Sequence, residues 1–139
     1  MVIYDIDGVL LPDIDNPSHE LCSLIASSVV PLFRPEHPFG LITGRTVEER
    51  STTMFWLDKY RLLPDVIYHE NDKPENSLKY KIEILNKLSP KPDLVVESGY
   101  SMAKSIQVHT GIKTIVFHEL IRNAIRATLY LEEKRCKSV

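Results

Sequence analysis

The 139 residues predict an α/β fold, a Rossmann-like three-layer α/β/α domain built around a mostly parallel five-stranded sheet. Three observations carry that prediction. Five short apolar runs alternate with amphipathic stretches of helical period, the pattern of right-handed βαβ crossovers that cover both faces of a parallel sheet. Hydrophobic residues make up 43% and charged residues 26%, an ordinary globular composition. The length suits one core that needs no disulfide or metal to hold it. No repeat, low-complexity tract or linker interrupts the chain, so residues 1–139 read as a single domain.

The elements follow in order. Val2 to Ile6 reads as a first strand, stopped by Asp7-Gly8. Pro17 and Ser18 open a helix with Leu21, Leu24, Ile25, Ser28, Val29 and Leu32 at helical spacing, ended by Pro31, Pro35 and Pro38. Phe39 to Ile42 is the second strand, closed by Thr43-Gly44. Thr46 caps a helix that runs to Tyr60, and Glu49 completes a capping box. Phe55 and Trp56 lie on that helix as core candidates. Asp65 to Tyr68 is the third strand, followed by a polar loop from His69 to Asn76. Ser77 to Leu88 is a helix that turns Ile82, Ile84, Leu85 and Leu88 to the core. Leu94 to Val96, Tyr100 to Thr110 and Thr114 to Phe117 read as strand, helix and strand. His118 to Arg135 closes the chain as a helix, with Ile121, Ala124, Ile125, Thr128 and Leu129 in one stripe.

Charge and cysteine usage narrow the function classes. A net charge of −2 gives no global basic field for nucleic acid or an anionic membrane, leaving only a local patch for such a role. Arg122, Arg126, Lys134, Arg135 and Lys137 read as a solvated helix face. Cys22 and Cys136 stand in no metal-ligand spacing and read as thiols of a reducing compartment. His19, His37, His69, His109 and His118 show no i, i+4 pairing of the kind that binds zinc. No apolar stretch approaches the ~20 residues that span a bilayer. The opening apolar run breaks at Asp5 without a cationic flank, so neither a signal peptide nor a membrane anchor is expected, and a cytoplasmic location is.

Asp5-Ile6-Asp7-Gly8 is the most informative tetrapeptide. Two residues apart on an extended chain, the carboxylates fall on one side at the end of the first strand. Open parallel sheets place their ligands outside the carboxyl ends of strands. Such a pair can hold a hard cation such as Mg²⁺, or divide the work of nucleophile and general acid/base. An Asp-Gly turn with a solvated acid beside it is the plainer alternative.

The context resembles the haloacid dehalogenase-like superfamily. Its first motif, an apolar strand followed by Asp-x-Asp-Gly, is matched by Val2-Ile3-Tyr4-Asp5-Ile6-Asp7-Gly8-Val9-Leu10. Leu41-Ile42-Thr43-Gly44-Arg45 matches the second, and Lys81 the third, with Lys79 competing for that role. Leu94-Val95-Val96-Glu97-Ser98-Gly99 stands where the fourth, acidic motif belongs. The resemblance implies an Mg²⁺-dependent phosphomonoester hydrolase with an aspartyl-phosphate intermediate. Asp5 would be the nucleophile and Asp7 the general acid/base. Thr43, Gly44 and Arg45 would meet the phosphoryl group, and Lys81 would offset the clustered negative charge. Mg²⁺ would be held by Asp5, the backbone carbonyl of Asp7, and Glu97. Arg45 has a second option in an ion pair with Glu48 or Glu49.

The fourth motif departs from the pattern, because Ser98 stands where relatives carry the metal-binding aspartate. That substitution opens an alternative: a weak or silent member that binds a ligand or partner. There is also little room for a substrate-covering cap, so the small capless type is expected. Its partner would be a phosphorylated small molecule held at an open site. A receiver-type phosphorylation domain is disfavoured, since the third strand ends at Tyr68-His69 without an aspartate.

Overall fold

Five short strands carry the fold: β1 (Val2–Tyr4), β2 (Phe39–Ile42), β3 (Val66–Tyr68), β4 (Leu94–Glu97) and β5 (Thr114–Val116). Their β-branched and aliphatic side chains suit a sheet covered on both faces. They lie in the order β3-β2-β1-β4-β5, and every pairing is parallel. Ile3 stands opposite Gly40 on one side and Val95 on the other. Helices α1 (Arg50–Lys59), α2 (Ser77–Lys87), α3 (Tyr100–Thr110) and α4 (Phe117–Lys137) complete the three-layer Rossmann-like architecture that the alternation predicts. The structure is a computed structural model that describes residues 1–12 and 29–137.

Two apolar cores separate the layers. On one face Ile6, Leu10, Leu11, Phe39 and Leu41 pack with Trp56, Leu57 and Leu62. On the other, Ile3, Ile42 and Val95 pack with Leu85 of α2 and with Ile106 and Ile112. Trp56 is fully buried, and its indole N–H donates to the Val29 carbonyl at 2.8 Å, tying α1 to the segment that enters β2.

Several expectations change at the level of elements. The strands expected to begin at Val2 and to end at Phe117 are shorter, as the ladder closes at Tyr4 and at Val116. The Thr46–Tyr60 helix begins as a 3₁₀ turn over Val47–Glu49 before α1, with the predicted capping box in place. Phe55 is 60% exposed, not core: one residue is a 100° step on a helix, so the face that buries Trp56 turns Phe55 outward. The helix expected from Pro17 lies outside the described residues as far as Ser28. From Val29 to Leu32 the chain is not helical, and Leu32 is exposed rather than core, because Pro31 cannot donate to a helical ladder. The predicted core stripe of the last helix is also corrected, since Ile121 and Leu129 are exposed. Among the described residues, no helix is long and apolar enough to cross a membrane.

The topology locates the site. Connections run outward from β1 through β2 to β3, then cross back to β4 on the far side of β1. Strand order therefore reverses between β1 and β4, and open parallel sheets hold their ligands beyond the carboxyl ends of strands at such a point. Asp5 follows β1 and Glu97 ends β4, so both acids stand at that point.

Candidate active site

The period-2 rule of strands and the i, i+4 rule of helices assemble the centre. Ile3 and Val95 are cross-strand partners whose side chains enter the core beneath α2. Two residues on, Asp5 and Glu97 project to the same face just past that core. Leu85 packs on Ile3 and Val95, and Lys81, one turn earlier on α2, reaches over the two acids. The Lys81 ammonium donates to Glu97 Oε1 at 2.6 Å and lies 3.2 Å from Asp5 Oδ1. Its other close neighbour is Met102 Sδ at 3.6 Å. Lys79 is exposed, so only Lys81 of the two candidate lysines joins the acids.

Burial sets the electrostatics. Asp5 is 6% exposed, Lys81 1% and Glu97 0%. Desolvation first, then the Glu97 charge, pushes the Asp5 carboxyl well above its ordinary range, against the pull of the Lys81 ammonium. Asp7 adds to the rise. Burial works to lower Lys81, but the Asp5 and Glu97 charges outweigh it and hold the ammonium above the usual lysine value. The Ile6 N–H donates to Asp5 Oδ1 at 2.8 Å, fixing that oxygen toward the backbone.

Asp7 takes a different partner. The chain turns sharply after Asp5, with the amides of Val9, Leu10 and Leu11 all donating to the Ile6 carbonyl. Gly8, at φ +79°, permits the turn. Asp7 is thereby delivered to Arg45, whose Nε donates to Oδ2 at 2.8 Å and whose Nη2 donates to Oδ1 at 2.7 Å. The pair is a two-pronged fork, and Asp7 remains nearly half exposed. Arg45 pairs with Asp7, while Glu49 is engaged by the Thr46 amide at 2.8 Å.

Thr43 and Gly44 close the third side. Thr43 is fully buried at the end of β2, and its Oγ1 accepts the Arg45 amide at 3.1 Å. A Cβ on Gly44 would stand 1.8 Å from Ser77 Oγ, so the start of α2 packs directly on this turn. Three further residues stand beside the predicted set: Thr53, His69 and Asn71. Arg45 Nη1 donates to Thr53 Oγ1 at 3.1 Å, and His69 Nε2 meets the same oxygen at 2.8 Å. Asn71 Nδ2 donates to the Gly44 carbonyl at 2.8 Å. His69 and Asn71 are buried in the segment expected to be a polar loop. His69 directly follows a parallel strand, which is the signal that could have marked it.

The donor set does not fit the expected Mg²⁺ site. Such a site needs carboxylate oxygens presented to the cleft. Glu97 has no exposed surface, and its Oε1 is committed to Lys81, so it offers nothing to a cation from that side. Ser98, the position of the usual ligand, carries a hydroxyl. Asp5 alone of the pair keeps any exposed surface, and among the described residues no cluster of His, Cys, Asp and Glu is arranged to hold a metal.

No curated protein and no solved structure matches the chain. A family model does, described as "PITM 1-3, LNS2 domain", over residues 2–116. That span runs from β1 to the end of β5 and holds every side chain of the site. The family is of the haloacid dehalogenase-like superfamily and is generally phosphatase-related, which agrees with the Asp5–Lys81–Glu97 centre at the sheet's switch point. The chain belongs to the PITM 1-3 LNS2 domain family.

Proposed function

We propose that the chain binds a phosphate monoester at the mouth of the Asp5–Asp7 cleft and has little capacity to hydrolyse it. The observation that carries this reading is the sealing of Glu97 behind Lys81, which withdraws the second carboxylate expected to hold a catalytic cation. The raised Asp5 carboxyl supports it further. A carboxyl that keeps its proton is a poor nucleophile toward phosphorus, but it can donate a hydrogen bond to a phosphate oxygen. A raised Asp5 carboxyl carries less negative charge beside Asp7 and Glu97, and Arg45 and Lys81 offset theirs, which lowers the repulsion that a phosphate dianion meets. The ligand is a phosphorylated small molecule or a phosphorylated end that an open mouth admits.

The test pairs binding with turnover. Calorimetric titration of inorganic phosphate should give a saturable site in the wild type and in Asp5→Asn, whose amide mimics the neutral acid. Mg²⁺ titration should give none in the wild type, while Ser98→Asp should create one. Rapid Mg²⁺-dependent release of an aryl alcohol from its phosphate by the wild type, lost in Asp5→Asn, would reject weak catalysis.

That outcome would favour a second reading, a phosphomonoester hydrolase, for which the 3.2 Å approach of Lys81 to Asp5 speaks. In it, Asp5 attacks phosphorus as the leaving oxygen departs with a proton from Asp7. Water assisted by Asp7 then releases phosphate from the aspartyl group. Lys81 stabilises the charge that gathers on the transferring group.

A further inference from the structure

Arg45 presents a fork that fits two oxygens of an anionic group, and in this structure Asp7 occupies it. Its guanidinium presents Nε and Nη2 as a planar fork to the two Asp7 oxygens, the same geometry that receives two oxygens of a phosphate. The two sides of the pair differ in freedom. The Arg45 side chain is 10% exposed and anchored, whereas Asp7 is 46% exposed.

The anchor has a definite proton arrangement. Thr53 Oγ1 is shared by Arg45 Nη1 at 3.1 Å, the Glu49 carbonyl at 3.2 Å and His69 Nε2 at 2.8 Å. Arg45 can only donate and the carbonyl can only accept. The single hydroxyl proton therefore goes to Glu49, and all three contacts are met only if His69 donates from Nε2. The other tautomer breaks the carbonyl bond and leaves a proton on Nδ1, a buried atom without a partner. Burial and the neighbouring Arg45 also lower the affinity of His69 for a second proton. Neutral His69 thus locks Thr53, and Thr53 locks the distal end of Arg45.

We propose that Arg45 is the ligand's phosphate receptor and Asp7 its resting counter-ion, exchanged when phosphate binds, with Thr53 and His69 as positioning residues that keep the fork in place. This rests on the phosphate-monoester reading above. The exchange has a consequence opposite to that of a cooperating acid. Asp7 competes with the ligand, so removing its charge improves binding.

Calorimetry of inorganic phosphate at about pH 8, where the dianion dominates, tests it on the full chain. Asp7→Asn should tighten binding by about tenfold, one charge-assisted hydrogen bond's worth. Arg45→Gln should abolish binding, and adding Asp7→Asn to it should restore nothing. Thr53→Val should weaken binding by about tenfold, and Thr53→Ser, which keeps the hydroxyl, should recover it. Nitrogen NMR of the imidazole should show the proton on His69 Nε2. Wild-type binding that is unchanged by Arg45→Gln, or weakened by Asp7→Asn, would overturn the exchange while leaving the phosphate reading intact. A wild type that binds no phosphate, with Asp7→Asn equally inert, would remove both. A Thr53→Val protein that binds normally, or a proton found on Nδ1, would overturn the positioning roles.

Discussion

Lys81 is the residue on which the buried centre depends. It is an ammonium with two acidic neighbours, Asp5 and Glu97, and almost no contact with water. Removing one partner of a buried ion pair typically costs about 3–5 kcal/mol, because the remaining charge is left uncompensated. Lys81→Met is therefore expected to destabilise the fold by about that amount, measured by urea denaturation, whereas the exposed Lys79→Met should stay within about 0.5 kcal/mol. An equal effect from both would contradict the buried triad. The grouping of Asp5, Lys81 and Glu97 was legible in the sequence, because Asp5 follows β1, Glu97 ends β4 and Lys81 lies in the second turn of α2. What they touch was not. The Arg45–Asp7 fork spans 38 residues, and nothing local in either segment distinguishes it from a pair between Arg45 and Glu49. His69 and Thr53 escaped for the same reason, since each resembles an ordinary polar residue until the fold buries it.

At the scale of elements, hydrophobic period was a sound guide where an element had two neighbours to pack on. Strand β2 and helix α3 have the limits their apolar spacing implies, β2 being paired along both edges and α3 packed on α2, β4 and β5. The last helix shows the limit of that guide. Its amphipathic stripe predicts burial, but beyond the stacking of Phe117 on Phe33 most of its described side chains are exposed. A stripe records that a face can be buried, not that a partner within the chain buries it. The matched family span also stops at residue 116, just before this helix begins. A chain ended after Leu120 should therefore retain the sheet and its cooperative melt, with a melting temperature within a few degrees of the full chain's. Circular dichroism would show loss of helical signal without loss of cooperativity. A molten product would mean that the helix does hold the core.

For the whole molecule, the buried centre ties stability to pH in a direction unlike that of most acids. Asp5 is raised in the folded state, so its contribution is fully present below the ordinary Asp value and is lost as pH rises through the folded one. Lys81 is raised too, and its contribution persists below the ordinary lysine value and fades at strongly alkaline pH. As pH rises above the ordinary Asp value of about 4, the wild type should thus lose stability relative to Asp5→Asn, whose side chain cannot titrate. Denaturation midpoints of both proteins across that range would check it, and parallel curves would exclude the raised carboxyl. The strand order has a different consequence, for the order of events during synthesis. Central β1 is made first, yet its Val2 pairs with Phe39 on one side and with Leu94 on the other. Until Leu94 leaves the ribosome, the apolar Val2-Ile3-Tyr4 strand keeps one edge open to any other chain that offers a strand. Nascent chains that stall before that residue are the ones most exposed to aggregation.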